Sequence, residues 1–306
     1  MNNIDKEGQE IEAENDFEDS EDSSASFTEL AEEYGLEHDC PIFIGLSDYV
    51  KFVAGSTIAA ARAVIDGRVD IAIHWDGGRH HAKKSECQGF CYVNDIVLGI
   101  IELRRVESAF LYTDKVMTIS FHHHARGFYP GSGALTDIGQ GKGMYHTINV
   151  PLRKGLRGAR FLQIAEHVLG HAYNTFQPDA IVVQCGCDGL AGDPAREWNL
   201  DIQSFGQCVQ GIASWNKPAI FLGGGGYNHA NVARCNAYMT SFLIDGGISI
   251  QEDIPEHQYF EEYGPDFSLL VDTGNRPDLN DDEYLASVVN VILGYFKNIE
   301  ERNNCH

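Results

Sequence analysis

No uninterrupted apolar run in the 306-residue chain approaches 18 residues, which argues against a membrane-spanning helix of ordinary length. The first residues are acidic and polar and lack the basic and apolar stretches of a secretory leader, so the chain is expected to stay in a reducing compartment. Zinc-finger spacing is missing as well. Cys40, Cys87, Cys91, Cys185, Cys187, Cys208, Cys235 and Cys305 are scattered and read as small buried thiols, with a redox or metal role left open only for Cys185-Gly186-Cys187. Positive charge is scarce, since 22 Lys and Arg face 45 Asp and Glu for a formal charge of -23. That deficit argues against sequence-specific DNA binding, which depends on neutralising phosphates, and favours a basic partner such as a lysine-rich tail. No internal repeat is evident.

The acids are concentrated at the start: residues 1–33 hold 13 of them against Lys6 alone. Residues 1–26 have too few apolar side chains to offset ordering entropy and are expected to form a disordered acidic tail, with residues 27–306 as one α/β domain. Apolar periodicity predicts helices near 46–64, 92–105, 161–176, 202–215, 230–244 and 284–299, with Gly67 stopping the first. Short, unbroken apolar strands are predicted at 69–74, 116–121, 145–150, 180–185 and 219–222. Such alternation indicates a mostly parallel sheet covered by helices on both faces, with ligands gathered at the carboxyl ends of the strands. The unusual loops lie there: 75–84, 122–133, 186–194 and 223–228.

His80 and His81 stand side by side after Trp75-Asp76-Gly77-Gly78-Arg79, where glycines permit a tight bend. Adjacent imidazoles suit proton transfer near neutral pH, although the pair alone reads first as surface loop residues. In isolation Asp188 reads as a turn or cap acid, Phe90 and Tyr129 as packing residues, and Asp39 as a turn residue. His167 and His171 have helical spacing, but Glu166 precedes the first histidine and no His-Glu-x-x-His motif results, so both read as solvent-facing. His122-His123-His124 end a strand whose side chains alternate in direction, so at most two of them could share a metal.

Longer strings sharpen this. Gly77-Gly78-Arg79-His80-His81-Ala82-Lys83-Lys84, followed by Gly89-Phe90-Cys91-Tyr92-Val93-Asn94-Asp95, resembles the histidine-pair loop of class I histone deacetylases. In the same order, Phe128-Tyr129-Pro130-Gly131-Ser132-Gly133 is similar to that family's tunnel loop. Gly186-Cys187-Asp188-Gly189-Leu190-Ala191-Gly192-Asp193-Pro194 is similar to its late metal-ligand loop, and Gly223-Gly224-Gly225-Gly226-Tyr227-Asn228 to its catalytic-tyrosine loop. The resemblance runs from about Tyr34 to Pro277.

It implies a three-layer αβα, arginase/deacetylase-like fold and zinc-dependent hydrolysis of N6-acetyl-lysine, with zinc as the cofactor. Asp188 would be a zinc ligand, His80 and His81 would move protons, and Tyr227 would hydrogen-bond the developing oxyanion. Gly89, Phe90 and Tyr129 would flank a narrow tunnel for the acetyl-lysine chain, and Asp39 would hold substrate backbone amides at its rim. The implied partners are acetylated histone tails or other acetyl-lysine proteins, together with corepressors, in transcriptional repression. The implied setting is the nucleus, with the cytoplasm as a second location. Arg79 and Asn94 receive no role.

One stretch departs from the family pattern. The family carries an apolar strand ending in Asp-x-Asp-x-His-His-Gly-Asp-Gly after the helix matching residues 92–105. Here Arg105 passes directly to Val106-Glu107-Ser108-Ala109-Phe110, which resembles the residues beyond that segment. The expectation is a sheet lacking one central strand and a site lacking two zinc ligands. The family's opening strand and helix are likewise expected to be replaced by the acidic tail. Three readings follow: a deacetylase whose complete form contains the segment, an inactive paralogue that binds acetylated tails or corepressors, and a nonfunctional splice product.

Overall fold

The computed structural model describes residues 28–104, 113–248 and 250–304; the acidic segment 1–26 and the Arg105–Val106 junction lie outside the described residues. The described chain forms two compact units, one of residues 28–44 and 81–92 and the other of residues 45–80 and 93–304. In the smaller unit, Gly35 sits at φ +65° where a Cβ would strike the Cys87 carbonyl. The Cys87 N–H donates to the Tyr34 carbonyl and the Tyr92 hydroxyl to the Pro41 carbonyl, which clamps the two segments together.

The larger unit alternates helix and strand in the order α1 (Leu46–Ile65), β1 (Ile71–His74), α2 (Asp95–Arg104), β2 (Thr118–His123), β3 (Thr147–Leu152), α3 (Gly158–Phe176), β4 (Ile181–Gln184), α4 (Ile202–Ala213), β5 (Ala219–Leu222), α5 (His229–Asp245) and α6 (Asp282–Asn304). Helix α1 buries Val53, Thr57, Ala61 and Val64, one stripe at helical spacing, and Gly67 follows it at φ +63° as the stop read from the sequence. Side-chain caps start several other helices, α4 and α5 among them. Asp201 accepts from the Ser204 N–H before α4, and Asn228 accepts from the Asn231 N–H before α5.

Every strand pairing between named strands is parallel. β5 runs between β1 and β4, with Ile71 and Ile181 both opposite Ala219, and β2 pairs with β3 from Thr118 opposite Thr147 to His123 opposite Leu152. All four β5 residues are buried, as a strand covered on both faces and both edges must be. The sheet expected as one is present as two, and β2 and β4 each have a ladder partner on one side only among the described residues. One hydrophobic core still joins them: Ile148 and Val150 of β3, Phe161 and Val168 of α3, Phe221 of β5 and Ile292 of α6 all belong to it. The rings of Phe121 and Phe161 meet edge to face at 5.8 Å, tying β2 to α3. No helix of the described residues is long and apolar enough to cross a membrane.

Burial holds the imidazoles of His74, His122, His123 and His146 below the usual histidine range. A folded-state pKa below the unfolded value of about 6.5 means that the unfolded chain takes up protons first as pH falls. Each ring therefore costs stability from about pH 6.5 downward and nothing at pH 8. In a chain this acidic, acidification also relieves self-repulsion, so a variant comparison is needed. The loss of urea resistance attributable to His146, taken as wild type minus His146→Gln, is expected to grow between pH 7.5 and 5. A pH-independent difference would contradict the assignment.

Candidate active site

The loops after β1, β4 and β5 meet at the carboxyl ends of those strands. The His74 carbonyl accepts from Gly77 N–H at 3.1 Å and from Gly223 N–H at 3.2 Å, which brings the first and last loops together. At this junction the two backbones touch. A Cβ on Gly78, which sits at φ +89°, would strike the Gly223 carbonyl, and a Cβ on Gly223 would strike the Trp75 carbonyl. Glycine is required at both places because neither obstacle is a side chain that could swing aside.

Asp95, wholly buried at the start of α2, holds the histidine loop by its carboxylate. Oδ1 accepts from Arg79 N–H at 2.7 Å, and Oδ2 accepts from Gly78 N–H at 3.0 Å and from the Thr57 hydroxyl at 2.5 Å. Since the Thr57 proton goes to Asp95, the Thr57 oxygen accepts from His74 Nδ1–H at 2.9 Å, which fixes that ring's tautomer. Asn94 caps α2 through the Val97 N–H and donates its amide to the His80 carbonyl at 3.1 Å.

His80 Nδ1 lies 3.2 Å from the Gly78 carbonyl and 3.2 Å from the Gln184 carboxamide at the end of β4. Donation from Nδ1 to the Gly78 carbonyl would leave the lone pair of the neutral ring on its Nε2, whereas acceptance from the Gln184 amide N–H would leave the proton on that ring nitrogen, so Gly78 and Gln184 between them set the tautomer. Gln184 also fills the space beside Gly224, so the side chains of His80 and Gln184 and the tetraglycine loop adjoin.

Asp188 reaches the same place from the loop after β4. Its carboxylate lies against the backbone of Gly186 and Gly225, where a Cβ on Gly225 would crowd it. Packing around the carboxyl raises its pKa, the Asp193 charge adds to this, and its own backbone N–H and His80 oppose it. The side chain keeps an exposed face, so solvent moderates the shift.

Asp193, only 3% exposed, accepts from Tyr227 N–H at 2.7 Å and from Ala195 N–H at 2.8 Å. It thereby sets the backbone from which the Tyr227 side chain projects, partly exposed, near the ends of β4 and β5. The Asn231 amide donates to the Ala191 carbonyl at 3.3 Å and knits the same two loops.

In these respects the chain has relatives. It matches the family model described as "Histone deacetylase domain" over residues 6–243. It is 44% identical to "Histone deacetylase 8" of Xenopus tropicalis across 87% of this chain and 76% of that one. It is 40% identical to "Histone deacetylase 1" of Homo sapiens across 87% of this chain and 58% of that one. The chain belongs to the histone deacetylase family. The first of these alignments spans 284 positions, whereas 87% of 306 residues is about 266, so about 18 aligned positions have no residue of this chain opposite them.

Within this member of the histone deacetylase family, His80, Asp188 and Tyr227 belong to the larger unit, on converging loops. Tyr129 also belongs to it and is 46% exposed. His81, Gly89, Phe90 and Asp39 belong to the smaller unit. There Asp39 Oδ2 accepts from Gly89 N–H at 2.7 Å and holds Phe90, 57% exposed, at φ +62°. A non-glycine residue in that region is strained and needs such an anchor.

Among the described residues no group of three or more His, Cys, Asp and Glu is placed to hold a metal ion. The alternatives read from sequence do not fill the gap. Both ring nitrogens of His122 are engaged, Nδ1 with the Ser120 hydroxyl and Nε2 with the Gly133 carbonyl, each at 2.9 Å. His167 and His171 are exposed on α3, and the seven described cysteines are free thiols. Gln184, Asp95, Thr57 and Asp193 are supports that sequence reasoning missed. Gln184 carried a signal, as the one polar residue closing an apolar strand; Thr57, inside the apolar stripe of α1, carried none.

Proposed function

We propose that this protein is a lysine deacetylase acting on acetylated histone tails or other acetyl-lysine proteins, serving transcriptional repression in the nucleus. The observation that carries the reading is the convergence of the His80 loop, Asp188 and the tetraglycine loop before Tyr227 at the carboxyl ends of three adjoining strands. The His80 imidazole suits proton transfer, and the Tyr227 phenol suits hydrogen bonding to an acetyl carbonyl oxygen. Within the larger unit, the aromatic face of Tyr129 suits the methylenes of a lysine chain.

A catalytic zinc ion needs about three protein ligands and an open position. Asp188 supplies one, and the described residues offer no second and third, so the described donor set does not fit the ion. Recognition and turnover therefore separate: this chain binds acetyl-lysine and hydrolyses it poorly. The same observation favours a second reading, an acetyl-lysine-binding member that performs no hydrolysis.

Fluorescence anisotropy with matched peptides tests recognition. Acetyl-lysine peptide is expected to bind at least about tenfold more tightly than the unmodified peptide, and Tyr227→Phe to remove most of that difference. Equal affinity for both peptides in the wild type would refute the proposal. Sequencing genomic DNA and transcripts across the Arg105–Val106 junction separates the two readings, because a deacetylase predicts a transcript that includes the missing strand.

A further inference from the structure

Cations are scarce in this chain, yet three of its 22 lysines and arginines surround one cleft. The cleft, about 440 Å³, lies in the larger unit between the turn after β2 and the segment after β3. Arg126 and Phe128 form one wall, Arg153 and Lys154 the other, and His123 with Glu197 line it between them. Glu197 is its single acid, and it is already shared. Its Oε2 lies 3.1 Å from His123 Nδ1 and its Oε1 3.3 Å from Lys154 Nζ. Among the described residues the one ion pair of Arg153 is with the exposed Asp281, at 3.7 Å, a contact too wet to neutralise it, and Arg126 has none.

The walls are held in place before any ligand arrives. Buried Asn280 accepts from Arg153 N–H at 2.6 Å and donates to the Arg153 carbonyl at 2.9 Å, while the Arg153 guanidinium lies 3.7 Å from the Tyr284 ring centre. The Gly155 N–H donates to the Glu197 carbonyl and the Leu279 N–H to the Lys154 carbonyl. Opposite them, the His123 and Phe128 rings pack at 4.4 Å and the Phe128 N–H closes its turn on the Ala125 carbonyl. Fixed cationic walls with residual positive charge lower the ordering cost of binding an anion.

We propose that this cleft binds an anionic side chain, the phosphate of a phosphoserine or the carboxylate of Asp or Glu, placed near the acetyl-lysine of the substrate. The inference rests on the acetyl-lysine reading for the position of the substrate. Phe128 begins the segment 128–133 that carries Tyr129, and Glu197 lies nine residues after Asp188, so the cleft shares chain segments with two loops of the candidate site. A globally acidic protein suits a lysine-rich segment, and this cleft selects those segments that also carry an anion.

The test uses the full chain and acetyl-lysine peptides that differ at one position two to four residues from the acetyl-lysine: serine, glutamate or phosphoserine. Phosphoserine is expected to bind about tenfold more tightly than serine, and glutamate about threefold. Arg126→Glu and Lys154→Glu, each on the surface, should each remove most of that advantage and leave the serine peptide unchanged. Equal affinity of the three peptides for the wild type overturns the proposal, as does an advantage that survives both charge reversals. A non-acetylated phosphoserine peptide separates the two ideas. If it binds through Arg126 and Lys154 while acetylation adds nothing, the cleft stands and the acetyl-lysine reading falls. Comparison of phosphoserine with glutamate tells which anion is the source.

Discussion

Purified and folded, the 306-residue chain is expected to carry no more than about a tenth of an equivalent of zinc. Its turnover of acetyl-lysine peptide is expected to be at least about a thousandfold lower than that of a version with an apolar strand ending in Asp-x-Asp-x-His-His-Gly-Asp-Gly inserted between Arg105 and Val106. Zinc leaves its hydration shell only for several donors held at fixed geometry. Asp188 offers one carboxylate, packed against Gly225. His122 is tied to Ser120 and Gly133, and His123 faces Glu197, so neither is positioned to substitute. Losing the partner of one metal ligand already costs about 10- to 100-fold, and two missing ligands should cost more than the product of two such losses. Stoichiometric zinc in the unmodified chain, with turnover abolished by His81→Ala, would show that other side chains complete the site and would overturn this account.

The inserted strand should act on the fold as well. β2 and β4 each pair on one side among the described residues, and the β4 side chains are only half buried whereas those of β5 are wholly buried. A strand edge left open in a sheet built of apolar residues presents unpaired N–H and C=O groups. A segment that paired there would raise thermal stability and zinc occupancy together.

Much of this was legible in the residues because the signals are local. Short apolar runs bounded by Gly and Asp placed β1, β4 and β5 to within two residues at each end, since no amphipathic helix fits a run of four. The loops stood out because glycines, histidines and an aspartate cluster where strands end. What stayed hidden depends on contacts distant in sequence. Asp193 supports Tyr227 across 34 residues and Gln184 meets His80 across 104, and neither has a periodicity that would announce it. Asp95 sits inside a recognised string, yet its hold on Gly78 and Arg79 is visible only in three dimensions. The two-sheet arrangement was likewise beyond local pattern, because strand order is set by which helices cross over and not by the strands themselves.

Gly223→Ala should be among the most damaging single-methyl changes in the molecule, lowering stability by about 3 kcal/mol or more and abolishing the preference for acetylated over unmodified peptide. The added Cβ has nowhere to go. It would meet the Trp75 carbonyl and lie 3.3 Å from the Gly77 carbonyl, both main-chain atoms of the loop that carries His80. Gly78→Ala meets the reciprocal obstacle, the Gly223 carbonyl, and adds a left-handed φ of +89° that a side chain disfavours. The loops must part to accept either methyl group, which breaks the Gly223 N–H bond to His74 and moves Tyr227 away from His80. Because both changes force the same separation, the double variant should lose less than the sum of the two. Gly170→Ala on α3 is the matched control. No atom lies within 4 Å of its added Cβ, so helix propensity alone should stabilise the protein by about 0.5 to 1 kcal/mol. Urea unfolding of the three single variants and the double, alongside peptide anisotropy, measures all four effects. If Gly223→Ala proved as stable as Gly170→Ala and kept its peptide preference, the close backbone approach of the two loops would not be what forms this site.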